Sequence, residues 1–209
     1  MKVLSLYQNQ LADAPKSINT VNSILCCMPF TPLHLGPALM VGLPLRKLVH
    51  LPTFLVANII LDIEPLLVLY LGLNLPLHGF LHTFLSALAV GLLLGFAMYS
   101  LERHLTGFYL KLELETNKVL PLKSFLIAGV FGTALHVVLD ALIYSEMQPF
   151  FPLNLNPFLS FNVSSLSVYL SCFWLCIFGA LYYIVLFAYS KHKKRKIQLK
   201  SNLQPKSTG

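Results

Sequence analysis

Apolar residues gather into four long runs, Leu51–Leu73, Phe80–Leu101, Ser124–Tyr144 and Leu166–Ser190, separated by shorter polar or proline-rich stretches. Each run has the length a helix needs to cross a hydrocarbon core, which predicts four spanning helices. A fifth run, Pro32–Leu45, is short, holds Pro37 and Pro44 and is closed by Arg46 and Lys47. It predicts a short first helix packed inside the bundle. Leu51–Leu73 also contains Asn58, Asp62, Glu64 and Pro65. The residue before a proline avoids the α region, so the pattern predicts a break at Glu64 near mid-membrane. Such breaks are tolerated where the backbone is buried in protein or lines a watery cavity. Ser145–Ser165, with Pro149, Pro152 and Pro157, reads as a loop. The expected fold class is all-α: a polytopic membrane helical bundle with four clear spanning helices plus a short first apolar helix.

Composition agrees, with 56% hydrophobic and 11% charged residues among 209 and a mean hydropathy of +0.70. Soluble domains carry about a quarter charged residues, so an ordinary soluble protein is excluded. Residues 1–27 are more polar and lack the continuous apolar core of a signal peptide. They read as an extension upstream of a natural start at Met28. Residues 28–190 form the membrane domain, and 191–209 a basic tail. The formal charge of +7 is concentrated there, in Lys191, Lys193, Lys194, Arg195, Lys196, Lys200 and Lys206. Such a tail after an apolar helix predicts a cytoplasmic end that favours anionic headgroups, making membrane lipids the expected partner. No aromatic residue interleaves these charges, so no specific nucleic-acid partner is expected. If the runs alternate in direction, Arg46, Lys47, the 103–123 segment and the tail all fall on the cytoplasmic side. The protein is then a multi-pass cell-membrane protein with the 74–79 and 145–165 loops outside.

Against this background the polar residues inside the apolar runs carry the chemistry. His78 and His82 are four apart, as are His136 and Asp140. On helices each pair would project from one face, and imidazole with carboxylate is a ligand set for a zinc-type ion. Titratable groups are costly in hydrocarbon, so pairs on different spans are expected to face one another and share a divalent cation, zinc by ligand preference. His78, His82, His136 and Asp140 are the expected first ligands, at the outer level of the membrane. His34 and Asp62 come next and are open to serving a second ion. Asn58, four residues before Asp62, is expected to orient it. Asp62 joins only if the break at Pro65 brings it to the level of the others. Glu64 and Glu146 are the candidate general bases. His50 is expected at the membrane edge, and Cys172 and Cys176 as small buried hydrophobes.

The order of the motifs adds a resemblance. Thr31-Pro32-Leu33-His34, Leu61-Asp62-Ile63-Glu64-Pro65, Leu77-His78-Gly79-Phe80-Leu81-His82-Thr83, Leu135-His136-Val137-Val138-Leu139-Asp140-Ala141 and Pro149-Phe150-Phe151-Pro152 follow one another from Met28 to Phe158. Together they resemble the YdjM-like family of membrane-bound, predicted metal-dependent hydrolases. The resemblance implies a small helical membrane protein with a metal site and hydrolase activity. Where that family commonly has an Asp-Ile-Asp-His motif, this chain has Asp62-Ile63-Glu64-Pro65, which matches at Asp62 and departs at the last two positions. The order His, Asp, His, His, His, Asp is more loosely similar to zinc-dependent phospholipase C and related single-strand nucleases, and implies a phosphodiester substrate.

The expected activity is a metal-dependent hydrolase in which activated water attacks a phosphodiester or other lipid-derived ester at the outer membrane–water interface. Two rival classes share the same polar residues: a proton- or cation-coupled carrier, and a non-catalytic scaffold whose metal only fixes the helices.

Overall fold

A computed structural model of the chain describes residues 32–114 and 120–203, and among them all regular structure is helical. The expected extension 1–27 lies outside the described residues. Six α-helices follow in order: α1 (Leu35–Leu45), α2 (Leu51–Ala57), α3 (Ile63–Tyr70), α4 (Phe84–Lys111), α5 (Leu122–Ala141) and α6 (Ser165–Leu203). Four segments are long and apolar enough to cross a membrane: Leu51–Tyr70, which comprises α2 and α3, then Phe84–Glu102, Leu122–Ala141 and Ser165–Leu199. With its 20 residues, α5 runs about 30 Å, the thickness of a bilayer's hydrocarbon core. The short α1 is the expected extra apolar helix.

Small residues bring the helices together. The most extensive contact is α4 against α5, where a Cβ on Gly91 would lie 2.7 Å from the Val130 Cα, and one on Gly95 would lie 2.7 Å from the Phe125 carbonyl oxygen. Side chains at these positions would push the helices apart, which is why small residues recur at close crossings in membranes. Across the same seam the buried Thr133 hydroxyl donates to the Ala87 carbonyl at 2.7 Å. Gly132 admits α2, and Gly36 lets α1 lie against the α6 backbone at Cys172 and Cys176.

The break in the second apolar run falls earlier than expected. Instead of stopping at Glu64, α2 ends at Ala57, a 3-10 turn covers Ile60–Asp62, and Glu64 and Pro65 lie in the first turn of α3. The cause is proline's own geometry. Pro65 has no N–H to give the carbonyl four residues back, and its ring would collide with that carbonyl, at Leu61. In the first turn of a helix the missing N–H costs nothing, so the irregular residues sit one turn upstream.

A second difference concerns His78 and His82, which were expected on one helical face. Thr83 is extended (φ −107°, ψ 153°) and its hydroxyl caps α4 by accepting from the Ser86 N–H at 3.2 Å. That cap starts α4 at Phe84 and leaves Phe80–His82 as a separate 3-10 turn, with His78 in the preceding loop.

The basic tail is no loose appendage up to Leu203. The 39 residues of α6 run about 58 Å, well beyond a bilayer core, because Lys, Arg, Gln and Leu are good helix formers. Its charged part is tied back to the end of α4. The Glu113 carboxylate accepts from Lys194 at 2.6 Å and from the Ser190 hydroxyl at 2.7 Å, and the Glu113 carbonyl accepts from Arg46 at 2.7 Å. Glu113 itself is left-handed (φ 54°). The Leu114 N–H reaches the Tyr109 carbonyl at 3.1 Å and the Glu113 N–H the Leu110 carbonyl at 3.2 Å. That is the hydrogen-bond pattern of a helix end that normally uses glycine. Arg46, the end of α4 and the start of the tail thus share one end of the bundle.

Candidate metal centre

Three separate elements deliver the polar cluster. His136 and Asp140 project from one face of α5, Asp62 closes the 3-10 turn between α2 and α3, and His82 closes the turn before α4. All four side chains are buried. One ligand atom from each lies within 4.8 Å of every other. His136 Nε2 is 3.1 Å from Asp140 Oδ2, 3.5 Å from Asp62 Oδ1 and 3.3 Å from His82 Nε2, and His82 Nε2 is 3.6 Å from Asp140 Oδ2. A buried Asp/His/His/Asp group of this size could hold a metal ion.

The partners of the two imidazoles decide which nitrogens face the centre. His136 Nδ1 lies 2.7 Å from the Asn58 carbonyl oxygen, which can only accept, so Nδ1 carries the proton. His82 Nδ1 lies 2.8 Å from Glu64 Oε2 and likewise donates. In neutral rings both Nε2 atoms are then lone pairs, directed at each other and at Asp140 Oδ2. These three acceptors converge with no proton among them. Asp140 Oδ2 makes no hydrogen bond despite its burial. A cation at the middle would satisfy all three, as buried polar groups require.

The break in the second span supplies one of these orienting groups. The Asp62 N–H bonds to the Ile59 carbonyl at 3.2 Å, which releases the Asn58 carbonyl that a continuous α-helix would have used. That freed oxygen receives His136. The Asn58 side chain does not orient Asp62 as expected: its NH2 turns back to the Phe54 carbonyl at 2.9 Å. Glu64 also has an orienting place. Its Oε2 accepts from His82 Nδ1, and both oxygens take the Leu81 N–H, at 3.1 and 3.2 Å. Carboxylates and carbonyls in these positions fix the tautomer of a ligating His and raise its basicity.

His34, His78 and Glu146 surround the four. His34 Nε2 is 3.3 Å from Asp140 Oδ1, so Asp140 presents one oxygen to the cluster and the other to His34. His78 packs edge-on to His82 with ring centroids 5.0 Å apart, stacks on Tyr144 at 3.8 Å and meets Glu146 Oε1 at 3.2 Å through Nδ1. It stands outside the tight four-residue group, and Asp62 takes the place expected for it. Burial works to raise the Glu146 pKa, but the hydrogen bond from His78 overturns it and holds the carboxyl below its ordinary value. Beside His78 opens a cavity of about 510 Å³. Glu64, His78 and Glu146 line it together with the apolar side chains of Leu67, Leu75, Phe80 and Phe151.

His50, expected as an interfacial residue at the cytoplasmic edge, lies at that end of the bundle, beside Glu102 and Tyr109, but is fully buried there. It stacks on Phe125 at 4.0 Å, lies 3.3 Å from Glu102 through Nε2, and caps α2 by accepting from the Thr53 N–H. Only Pro52, in the first turn, signalled a helix start here, since His is not among the usual capping residues. Cys172 is buried as expected and Cys176 is partly buried.

No protein-family model, no curated protein and no solved structure matches this chain.

Proposed function

We propose that this protein is a membrane-embedded, metal-dependent hydrolase that binds one zinc-type cation through Asp62, His82, His136 and Asp140. The observation that carries the reading is the convergence of two oriented Nε2 lone pairs with two carboxylates, all buried, beside an open cavity. Two imidazoles and two carboxylates suit zinc or a similar divalent ion. Such an ion would polarise a bound carbonyl or phosphoryl oxygen and lower the pKa of water toward about 7. Glu146, on the cavity wall and held by His78, is the general base; Glu64 is a positioning residue for His82. His34 steadies Asp140 from its far oxygen. The substrate is a lipid-derived ester or phosphodiester reached at the membrane surface. The clustering of Arg46, the α4 end and the basic tail supports a cytoplasmic location for that end, with the site toward the outer face of the cell membrane. Membership of the YdjM-like family, suggested by motif order, is part of the same proposal.

The test uses zinc-loaded protein in lipid vesicles, with p-nitrophenyl acetate and bis(p-nitrophenyl) phosphate as probes. Cleavage that stops with a chelator, returns with zinc and is lost in Asp62→Asn is expected. Metal binding without cleavage of either probe overturns the enzyme reading. Cation or proton flux across the vesicle would then assign a carrier, and a metal that only raises the Tm a scaffold.

A further inference from the structure

The cavity beside the cluster has largely apolar walls that carry two acidic side chains, Glu64 and Glu146, and among the described residues it is lined by neither Lys nor Arg. Its volume falls in the range of small-molecule sites. Leu67, Leu75, Phe80 and Phe151 on its walls are all exposed, so the opening is continuous with the apolar surface of the bundle. Glu64 and Glu146 connect its lining to the cluster: Glu64 accepts from His82, and Glu146 meets His78, whose ring packs edge-on to His82; with Asp62 and Asp140 they bring four carboxyl groups to this region. Four carboxyl groups against one divalent cation leave it short of positive charge. The cationic side chains nearest in role, Arg46 and Lys194, are engaged with Glu113 at the other end of the bundle. Sites that cleave phosphate esters neutralise the anion with Arg, Lys or several metal ions, and this cavity supplies no such side chain.

From this we infer that the substrate is a long-chain carboxylic ester whose scissile group is uncharged, seated with its acyl chain along the Leu67–Leu75–Phe80 wall and its carbonyl at the cluster. The inference rests on the hydrolase reading and narrows it, setting the phosphodiester aside. In the reaction the water oxygen bonds to the acyl carbon while the bond from that carbon to the alcohol oxygen breaks. The water's proton passes to Glu146 and then to the departing alkoxide, giving a carboxylic acid and an alcohol with no change of oxidation state. Chain burial sets the preference, since each methylene removed from water is worth roughly fourfold in binding.

Zinc-loaded protein in detergent is assayed with p-nitrophenyl acetate, p-nitrophenyl decanoate and bis(p-nitrophenyl) phosphate. Binding of decanohydroxamate and acetohydroxamate, two neutral metal-chelating heads of different chain length, is followed by thermal shift. Expected are a kcat/KM at least tenfold higher for the decanoate than for the acetate, a phosphodiester rate at least a hundredfold lower than either, and at least tenfold tighter binding of the longer hydroxamate. Leu75→Trp and Leu67→Trp, both at exposed positions, should each remove the chain-length preference in cleavage and in hydroxamate binding while the protein still takes up zinc. Equal rates and equal binding for short and long chains, or faster phosphodiester cleavage, overturn the inference while the hydrolase reading stands. Zinc bound with no probe cleaved overturns both.

Discussion

Replacing Glu64 with glutamine separates two roles for a carboxylate that the sequence left as a candidate base. In the structure Glu64 Oε2 receives His82 Nδ1 at 2.8 Å, and both oxygens receive the Leu81 N–H. The side chain is only 16% exposed, so water is a poor substitute for it. A carboxylate behind a ligating imidazole raises the basicity of the nitrogen facing the metal, and losing such a group costs about 10–100-fold in metal affinity, or ~1.4–2.7 kcal/mol. In Glu64→Gln the amide keeps one acceptor oxygen for His82 or Leu81, so the fold without metal should change by less than about 1 kcal/mol. Glu64→Ala leaves both donors unanswered and should cost about 1–3 kcal/mol even without metal. Zinc competition against a chromophoric chelator, with circular dichroism as the check on folding, reads the difference. A general base with no orienting role would behave differently, slowing turnover about 10²–10⁴-fold with zinc affinity unchanged. A folded Glu64→Gln variant that binds zinc within a factor of two of the parent refutes the orienting role.

Other consequences follow from the packing and from the far end of the bundle. Gly129 faces the Gly91 backbone with no space for a side chain, so Gly129→Val should destabilise the α4–α5 pair by about 1–3 kcal/mol and lower the Tm in detergent. An unchanged Tm would mean that the two helices do not meet there. Burial tends to raise the Glu113 pKa, but the hydrogen bonds from Lys194 and Ser190 outweigh it and set the folded value below the ordinary 4.5. A carboxyl with a depressed folded pKa stabilises the protein above its unfolded value and loses that contribution as pH falls through the folded one. The Tm advantage of the parent over Glu113→Gln should therefore be complete well above pH 4.5, decline as the pH falls below that, and be gone once the pH is below the depressed folded pKa. A Tm difference between the two that does not change with pH contradicts the ion pair.

The parts of this protein that were legible in the sequence depend on local spacing. Twenty-residue apolar runs specify spanning helices with little help from the rest of the chain, and His136 with Asp140 lie on one face because α5 is regular there. What was hidden depends on contacts between distant segments or on competition between local signals. His82 reaches the cluster from a 3-10 turn because Thr83 caps α4, overriding the helical spacing from His78. Pro65 announces a break, but its ring acts on the carbonyl one turn upstream, so the backbone opens around Asn58 and Ile59. That shift is what carries Asp62 into the group and frees the carbonyl that holds His136. No residue pattern near Asn58 signals a partner 78 positions away. Glu64 shows the same limit: an acid beside a proline looks like a base or a ligand, and only the fold places it behind His82.

The most direct test of the central claim is the metal content of the protein purified in detergent without chelators, measured by inductively coupled plasma mass spectrometry alongside His136→Ala and Asp140→Asn. The geometry predicts about one divalent ion per chain in the parent and less than about a tenth of that in each folded variant. A folded parent that carries no divalent metal and takes up none when zinc is supplied would contradict it.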